Sequence, residues 1–308
     1  MDKVIAIIQT ALPVFLAIFL GALCRSRKFI TRDGVDTLKK VVINITLPAV
    51  LLNAFATAEY TVAALILPAV MFGLCCVALV LGKLIIRLSG MKSRLAPFLA
   101  TGFEAGMLGY ALFSLLFPKE GISAFALPDI GQTLFVFTLF KILISGKTDI
   151  KAIGKDMITT PILWAVFVGV LIGATGLYGE LKIWGIAGIL DSATSFVSAP
   201  TAMIILLTVG YDLVIREIPW KKTAGLIVMR LVVAAILLII IGLLNSTVLE
   251  GMFFEGAAIV MLILPPPYVI PVFADDPQER VQVSAALSAM TLMTVVLFGV
   301  LTVIVGMQ

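Results

Sequence analysis

The chain has 308 residues, 61% hydrophobic and only 13% charged, where soluble domains carry about 25% charged residues, and its mean hydropathy is +1.17. The net charge of +4 does not indicate nucleic-acid binding, because the basic residues sit in short loops between apolar runs. With no histidine, His-based catalysis, His metal sites and His pH sensing are excluded; Cys24, Cys75 and Cys76 offer neither a disulfide framework nor a metal spacing.

A membrane span needs about 20 apolar residues. Ten stretches qualify, roughly 4–24, 38–56, 61–82, 95–117, 123–145, 157–177, 184–210, 224–244, 252–274 and 279–306. Met1–Cys24 begins like a signal peptide, but its apolar run Val4–Leu23 is too long for an h-region and no small-residue cleavage site follows, so it reads as the first span. The connections are too short for a soluble domain.

Basic residues orient the spans. Arg25, Arg27, Lys28, Arg32, Lys39 and Lys40 follow span 1. Lys83, Arg87, Lys92 and Arg94 follow span 3, and Lys141, Lys147, Lys151 and Lys155 follow span 5. Arg216, Lys221 and Lys222 follow span 7, and Arg280 follows span 9, whereas the opposite face holds only Lys3, Lys119 and Lys182. Odd-numbered loops are expected in the cytoplasm and both termini outside.

An internal repeat divides the chain into halves, 1–150 and 151–308. Span 1 reads Pro13-VFLAIFLGAL and span 6 reads Pro161-ILWAVFVGVL; Ala17, Phe19, Gly21 and Leu23 match Ala165, Phe167, Gly169 and Leu171 in order. Span 2 carries Pro48 and span 7 carries Pro200. Five spans per half is odd, so the second half enters with opposite topology, an inverted repeat of the kind that builds many secondary transporters.

Span 9 contains ILPPPYVIPVF, with Pro265, Pro266, Pro267 and Pro271. A proline inside a helix removes a backbone donor and clashes with the preceding turn, at about 3 kcal/mol or more, and freed carbonyls are tolerated at membrane depth only inside protein or beside a water-filled cavity. Two half-helices meeting at mid-depth are expected, with a proline-kinked structural helix as the plainer reading. The repeat pairs span 9 with span 4, Gly102-FEAGMLGYALFSLLF-Pro118, whose Gly102, Gly106 and Gly109 either permit close helix packing or mark a second break that crosses the first.

Glu104, nine residues into span 4, is the most informative single residue, because an ionised, unpaired carboxylate there costs some 2.5 kcal/mol or more and usually faces a cavity or a partner. It is a candidate proton or cation carrier; a structural ion pair is the alternative. Asn44, Asn53 and Gln132 read as ligand contacts or interhelical glue, and Asn44, four residues before Pro48, could meet a freed carbonyl. Lys141 reads as snorkelling. Arg230 is placed to attract an anion, or to pair with Asp212 or Asp275. Asp191 and Glu255 read as vestibule residues, and Asp275 and Asp276 as the cytoplasmic cap of span 9.

PVFLAIFLGALCRSRKFIT in span 1, NITLPAVLLNAF in span 2, SAPTAMIILLTVG in span 7 and ILPPPYVIPVFA in span 9 together resemble the auxin efflux carrier family, whose bacterial members include malate and malonate permeases. The resemblance implies ten spans in two inverted five-helix repeats, a scaffold of spans 1, 2, 6 and 7, a transport bundle of the remaining spans, broken helices 4 and 9 crossing at the site, a homodimer, and elevator-like carriage of organic anions. The family's fourth span usually has an Asn and then a Gly-x-Pro break. Here Ala105 and Ala111 stand where the Asn and the proline are expected, with Glu104 beside them.

The expected protein is therefore an all-α polytopic membrane protein, a secondary carrier in the cytoplasmic membrane that moves a small organic anion such as a dicarboxylate by alternating access. The coupling ion is H⁺ with Glu104 as its carrier, or Na⁺. Substrate contacts are expected from Asn44, Pro48, Glu104, Ala105, Gly106, Gly109, Gln132, Pro265, Pro266, Pro267 and Tyr268. No cofactor, metal or catalytic group is expected, and the GxxxxGK[ST] phosphate loop of an ATP-driven pump does not occur. A membrane-embedded hydrolase and a ligand-sensing receptor are the competing classes. The first lacks a well-placed nucleophile and base, and the second lacks a signalling domain.

Overall fold

The computed structural model describes residues 2–58, 60, 62–91, 93–145, 159–213, 220–273 and 276–307. Among these every regular element is helical: α1 Asp2–Ser26, α2 Arg32–Ala56, α3 Val62–Leu88, α4 Ala96–Leu116, α5 Ser123–Ile144, α6 Pro161–Ala174, α7 Leu177–Ile183, α8 Ala187–Asp212, α9 Trp220–Thr247, α10 Glu255–Ile263 and α11 Pro277–Met307. Seven of them are long and apolar enough to cross a membrane, and eight if α6 and α7, bent by 69° at their junction, form one span. The sequence reads as ten stretches; among the described residues α1 adds a shorter apolar stretch, Ala11–Ser26, and α10 stops after nine residues where the prolines begin. Large apolar side chains face outward along these helices, Phe196 at 84% exposure among them, as suits helices with lipid for solvent.

Three pairs of helices approach backbone to backbone: α1 lies against the C-terminal half of α8, α2 against α6, and α3 against α5, where a Cβ on Gly131 would stand 1.9 Å from the Pro68 carbonyl oxygen. A Cβ on Gly21 would stand 2.0 Å from the Leu207 carbonyl oxygen, and one on Gly210 would stand 2.0 Å from that of Ile18, so only glycine allows the α1–α8 contact. Gly169, the counterpart of Gly21 in the sequence repeat, seats on Leu52 and Phe55 of α2. Of the remaining helices, α9 meets α3 on one side and α11 on another. The chain relieves Pro48 locally: α2 widens into a π turn at Val42–Thr46, and the Leu47 N–H reaches back to the Val42 carbonyl just before the proline. Two further π turns, Ala105–Gly109 and Val136–Phe140, interrupt α4 and α5.

Candidate functional site

Two interrupted helices meet inside the bundle. In α4 a 3₁₀ turn, Ala96–Ala100, gives way to extended backbone at Thr101, a left-handed Gly102 (φ +65°) and Glu104, before the π turn resumes the helix. In the second segment α10 ends at Leu264 (ψ 151°), the three prolines follow, and a 3₁₀ turn forms at Ile270–Phe273. The stretches of backbone between these pieces touch: the Glu104 N–H donates to the Pro265 carbonyl at 2.8 Å, and a Cβ on Gly102 would come within 3.0 Å of Pro267 Cγ.

Breaking two helices in a membrane exposes N–H groups and carbonyls that lipid cannot satisfy, each costing several kcal/mol if left unmet. Glu104 meets the donors. Its Oε2 accepts from the Tyr268 N–H at 2.8 Å and its Oε1 from the Met107 N–H at 3.3 Å, so one carboxylate serves both breaks. Arg230 meets the acceptors. It is 4% exposed, and its guanidinium donates to the Ala100 carbonyl at 3.0 Å and the Leu264 carbonyl at 2.9 Å. Thr294 Oγ1 takes the neighbouring Ile263 carbonyl at 2.5 Å. The negative group thus sits at the exposed N–H groups and the positive group at the carbonyl ends, the arrangement helix dipoles favour.

A cavity of about 860 Å³ opens beside this meeting point, walled by α2, α4, α5, α6 and the segment Pro267–Val269. Each of the three π turns contributes to its lining, through Ile43, Ala105–Met107 and Val136, consistent with the frequent use of π turns at functional sites. Most of the lining is apolar; its polar groups include Glu104, Asp129, Gln132, Tyr110 and Lys141. A second cavity, about 270 Å³, lies on the other side of Tyr268 and is lined by Arg32, Lys39, Asp212, Ser284, Ser288 and Thr291. Tyr268 faces both cavities, and its hydroxyl pairs with Thr291 Oγ1 at 3.0 Å. Asp212 bonds both Arg32 and Lys39 there and ties α8 to α2.

Of the residues expected at the site, Glu104, Ala105, Gly106, Gln132, Pro267 and Tyr268 come together on the larger cavity. Gln132 steadies the break by donating from Nε2 to the Phe103 carbonyl at 2.6 Å. Pro265 and Pro266 are buried behind that surface, where Pro265 serves as a backbone acceptor. Gly109 makes room for packing: a Cβ there would meet Leu264 Cδ1 and Phe125 Cζ at 2.7 Å each. Asn44 is exposed, away from the cavity lining, with Nδ2 bonded to the Lys40 carbonyl at 2.8 Å, and Pro48 is likewise off that lining. Arg230 pairs with backbone, while Asp212 is held by Arg32 and Lys39; Asp275 lies outside the described residues. Asp191 accepts from the Tyr178 hydroxyl at 2.8 Å.

Asp129 is a cavity residue that sequence reasoning passed over. It is 5% exposed, its Oδ2 accepts from the Tyr110 hydroxyl at 2.7 Å, and its Oδ1 has no hydrogen-bond partner. The signal was available, since an aspartate within an apolar span raises the same question as Glu104. Among the described residues no group of three or more His, Cys, Asp or Glu side chains is arranged to hold a metal ion.

Apolar helices around a pair of interrupted segments, with a polar meeting point open to a cavity, fit a multi-pass membrane protein of the transporter class. No family model matches the chain. A protein of Methanothermobacter thermautotrophicus (strain Delta H) named "Uncharacterized transporter" is 25% identical over 219 residues, spanning 68% of this chain and 68% of its own length.

Proposed function

We propose that this protein is a secondary carrier of a small organic anion, coupled to protons through Glu104 and related to the auxin efflux carriers. The observation that carries the reading is the placement of one carboxylate on the N–H groups of both interrupted segments, at the wall of a cavity of about 860 Å³. Ten spans in two inverted halves, 1–150 and 151–308, accord with the reciprocal packing of α1 on α8 and α2 on α6, each matching one half's first span to the other's second. Those four helices form the scaffold; the rest move as the transport bundle. The cavities on either side of Tyr268 suit alternating access. A homodimer in the cytoplasmic membrane, with both termini outside, completes the reading. Glu104 and Asp129 on one cavity favour a second reading, a carrier of a cation or a neutral solute, with Na⁺ as the other coupling ion.

The test is uptake of malate, malonate and succinate into proteoliposomes, with and without an imposed pH gradient, by wild type and Glu104→Gln. Gradient-driven uptake that the substitution uncouples is the expected result. Uptake indifferent to both reduces Glu104 to a structural residue; uptake of cations alone installs the second reading.

A further inference from the structure

We propose that Glu104 couples the proton to the substrate by competition: its ionised carboxylate occupies the two backbone donors that a substrate carboxylate uses, and protonation vacates them. The proposal rests on the organic-anion reading above. It begins from the donors. Wherever the two breaks leave N–H groups at the meeting point, the best acceptor is an anion with two oxygens, since a charge-assisted bond is about twice as strong as a neutral one. That position is taken by the protein's own side chain, with Oε2 on the Tyr268 N–H and Oε1 on the Met107 N–H. Arg230 donates to the Ala100 and Leu264 carbonyls and is not among the residues that line the large cavity.

The geometry allows exchange. Glu104 is half-buried and lines the large cavity, so its side chain has open space to turn into. Its backbone stays pinned when the side chain moves, because the Glu104 N–H is held by Pro265. A neutral carboxyl accepts the two N–H bonds poorly and no longer repels an incoming anion, so a proton taken from solvent onto one Oε favours departure of the side chain and entry of the substrate carboxylate. The charged and titratable groups around Glu104 are Asp129 of α5, held by Tyr110 of α4; Lys39 of α2; Lys141 at the end of α5; Tyr268, whose hydroxyl is bonded to Thr291 of α11; and Asp212 of α8, paired to Arg32 and Lys39. Binding one carboxylate then consumes one proton.

Competition reverses the effect expected of a residue that helps to bind substrate. In Glu104→Ala the donors are vacant at every pH, and carboxylate affinity at pH 8 should rise at least about tenfold over wild type, with its pH dependence lost. In wild type the dissociation constant should climb about tenfold per pH unit above the titration of Glu104. The experiment measures binding of malate, malonate, succinate and indole-3-acetate to purified wild type, Glu104→Ala and Glu104→Gln from pH 5 to 9. A pH-indicator dye in weak buffer counts protons taken up by wild type alone, so the test survives a variant that fails to fold. One proton taken up per carboxylate bound, with a flat and tighter profile in the variants, is the expected result. Carboxylate binding by wild type without proton uptake, or variants that bind more weakly than wild type across the range, overturns the competition and leaves the organic-anion reading standing. Binding of none of the four by wild type overturns both.

Discussion

Arg230 shows how a membrane interior changes the meaning of a charge. Its side chain has no carboxylate partner within the hydrogen bonds it makes; it holds two main-chain carbonyls that the breaks at Ala100 and Leu264 leave without helical donors. Removing the guanidinium leaves two buried acceptors unmet, each costing about 1–3 kcal/mol. Arg230→Leu should therefore lower the melting temperature of the detergent-purified protein markedly, and Arg230→Lys should fall between it and wild type, because a single ammonium lacks the planar fork that reaches both oxygens. Equal melting temperatures for all three would mean that Arg230 does not hold the two breaks together. The residues legible in advance were those whose type alone raises a cost in lipid, Glu104 above all. Asn44 reads as a ligand contact or interhelical glue; its side chain satisfies its own helix at Lys40, and no spacing rule separates that outcome from a ligand contact.

At the scale of elements, glycine decides how near two helices come. Gly210 sits on the Ile18 carbonyl, where a Cβ would stand 2.0 Å away, while Gly242 in α9 has nothing within 4 Å of the same position. Gly210→Ala should separate α1 from α8 and sharply reduce folded yield. Gly242→Ala should be neutral or stabilise by up to about 1 kcal/mol, because alanine is the better helix former. Paired thermal-denaturation curves for the two variants check this, and comparable losses in both would contradict the packing. The breaks themselves were predictable unequally. Four prolines announce the end of α10, whereas the interruption of α4 contains none; its sign is a trio of glycines, which in apolar helices more often serve packing, as Gly109 does.

For the whole molecule, the number of crossings separates the ten-span reading from the seven or eight helices that qualify by length and composition. The segment from α10 through Ile270–Phe273 either traverses the bilayer or returns to the side it entered. In a background with Cys24, Cys75 and Cys76 replaced by serine, single cysteines at Glu250 and Gln278 should react with an impermeant maleimide from opposite faces of sealed vesicles, outside for Glu250→Cys and cytoplasmic for Gln278→Cys. Reaction from one face would make the segment re-entrant and undo the inverted five-helix halves.

The membrane class, the basic loops and the break after α10 follow from composition and from the chemistry of proline and charge in lipid, which act residue by residue and need no neighbour to be known. Which groups meet is a different matter. Arg230 and Leu264 are 34 positions apart and Glu104 and Tyr268 are 164 apart; their pairing depends on how the helices stack, and an apolar helix presents nearly the same surface at every rotation. Only the tertiary structure brought one carboxylate to the donors of both breaks and one guanidinium to the acceptors, with Asp129 on the same cavity.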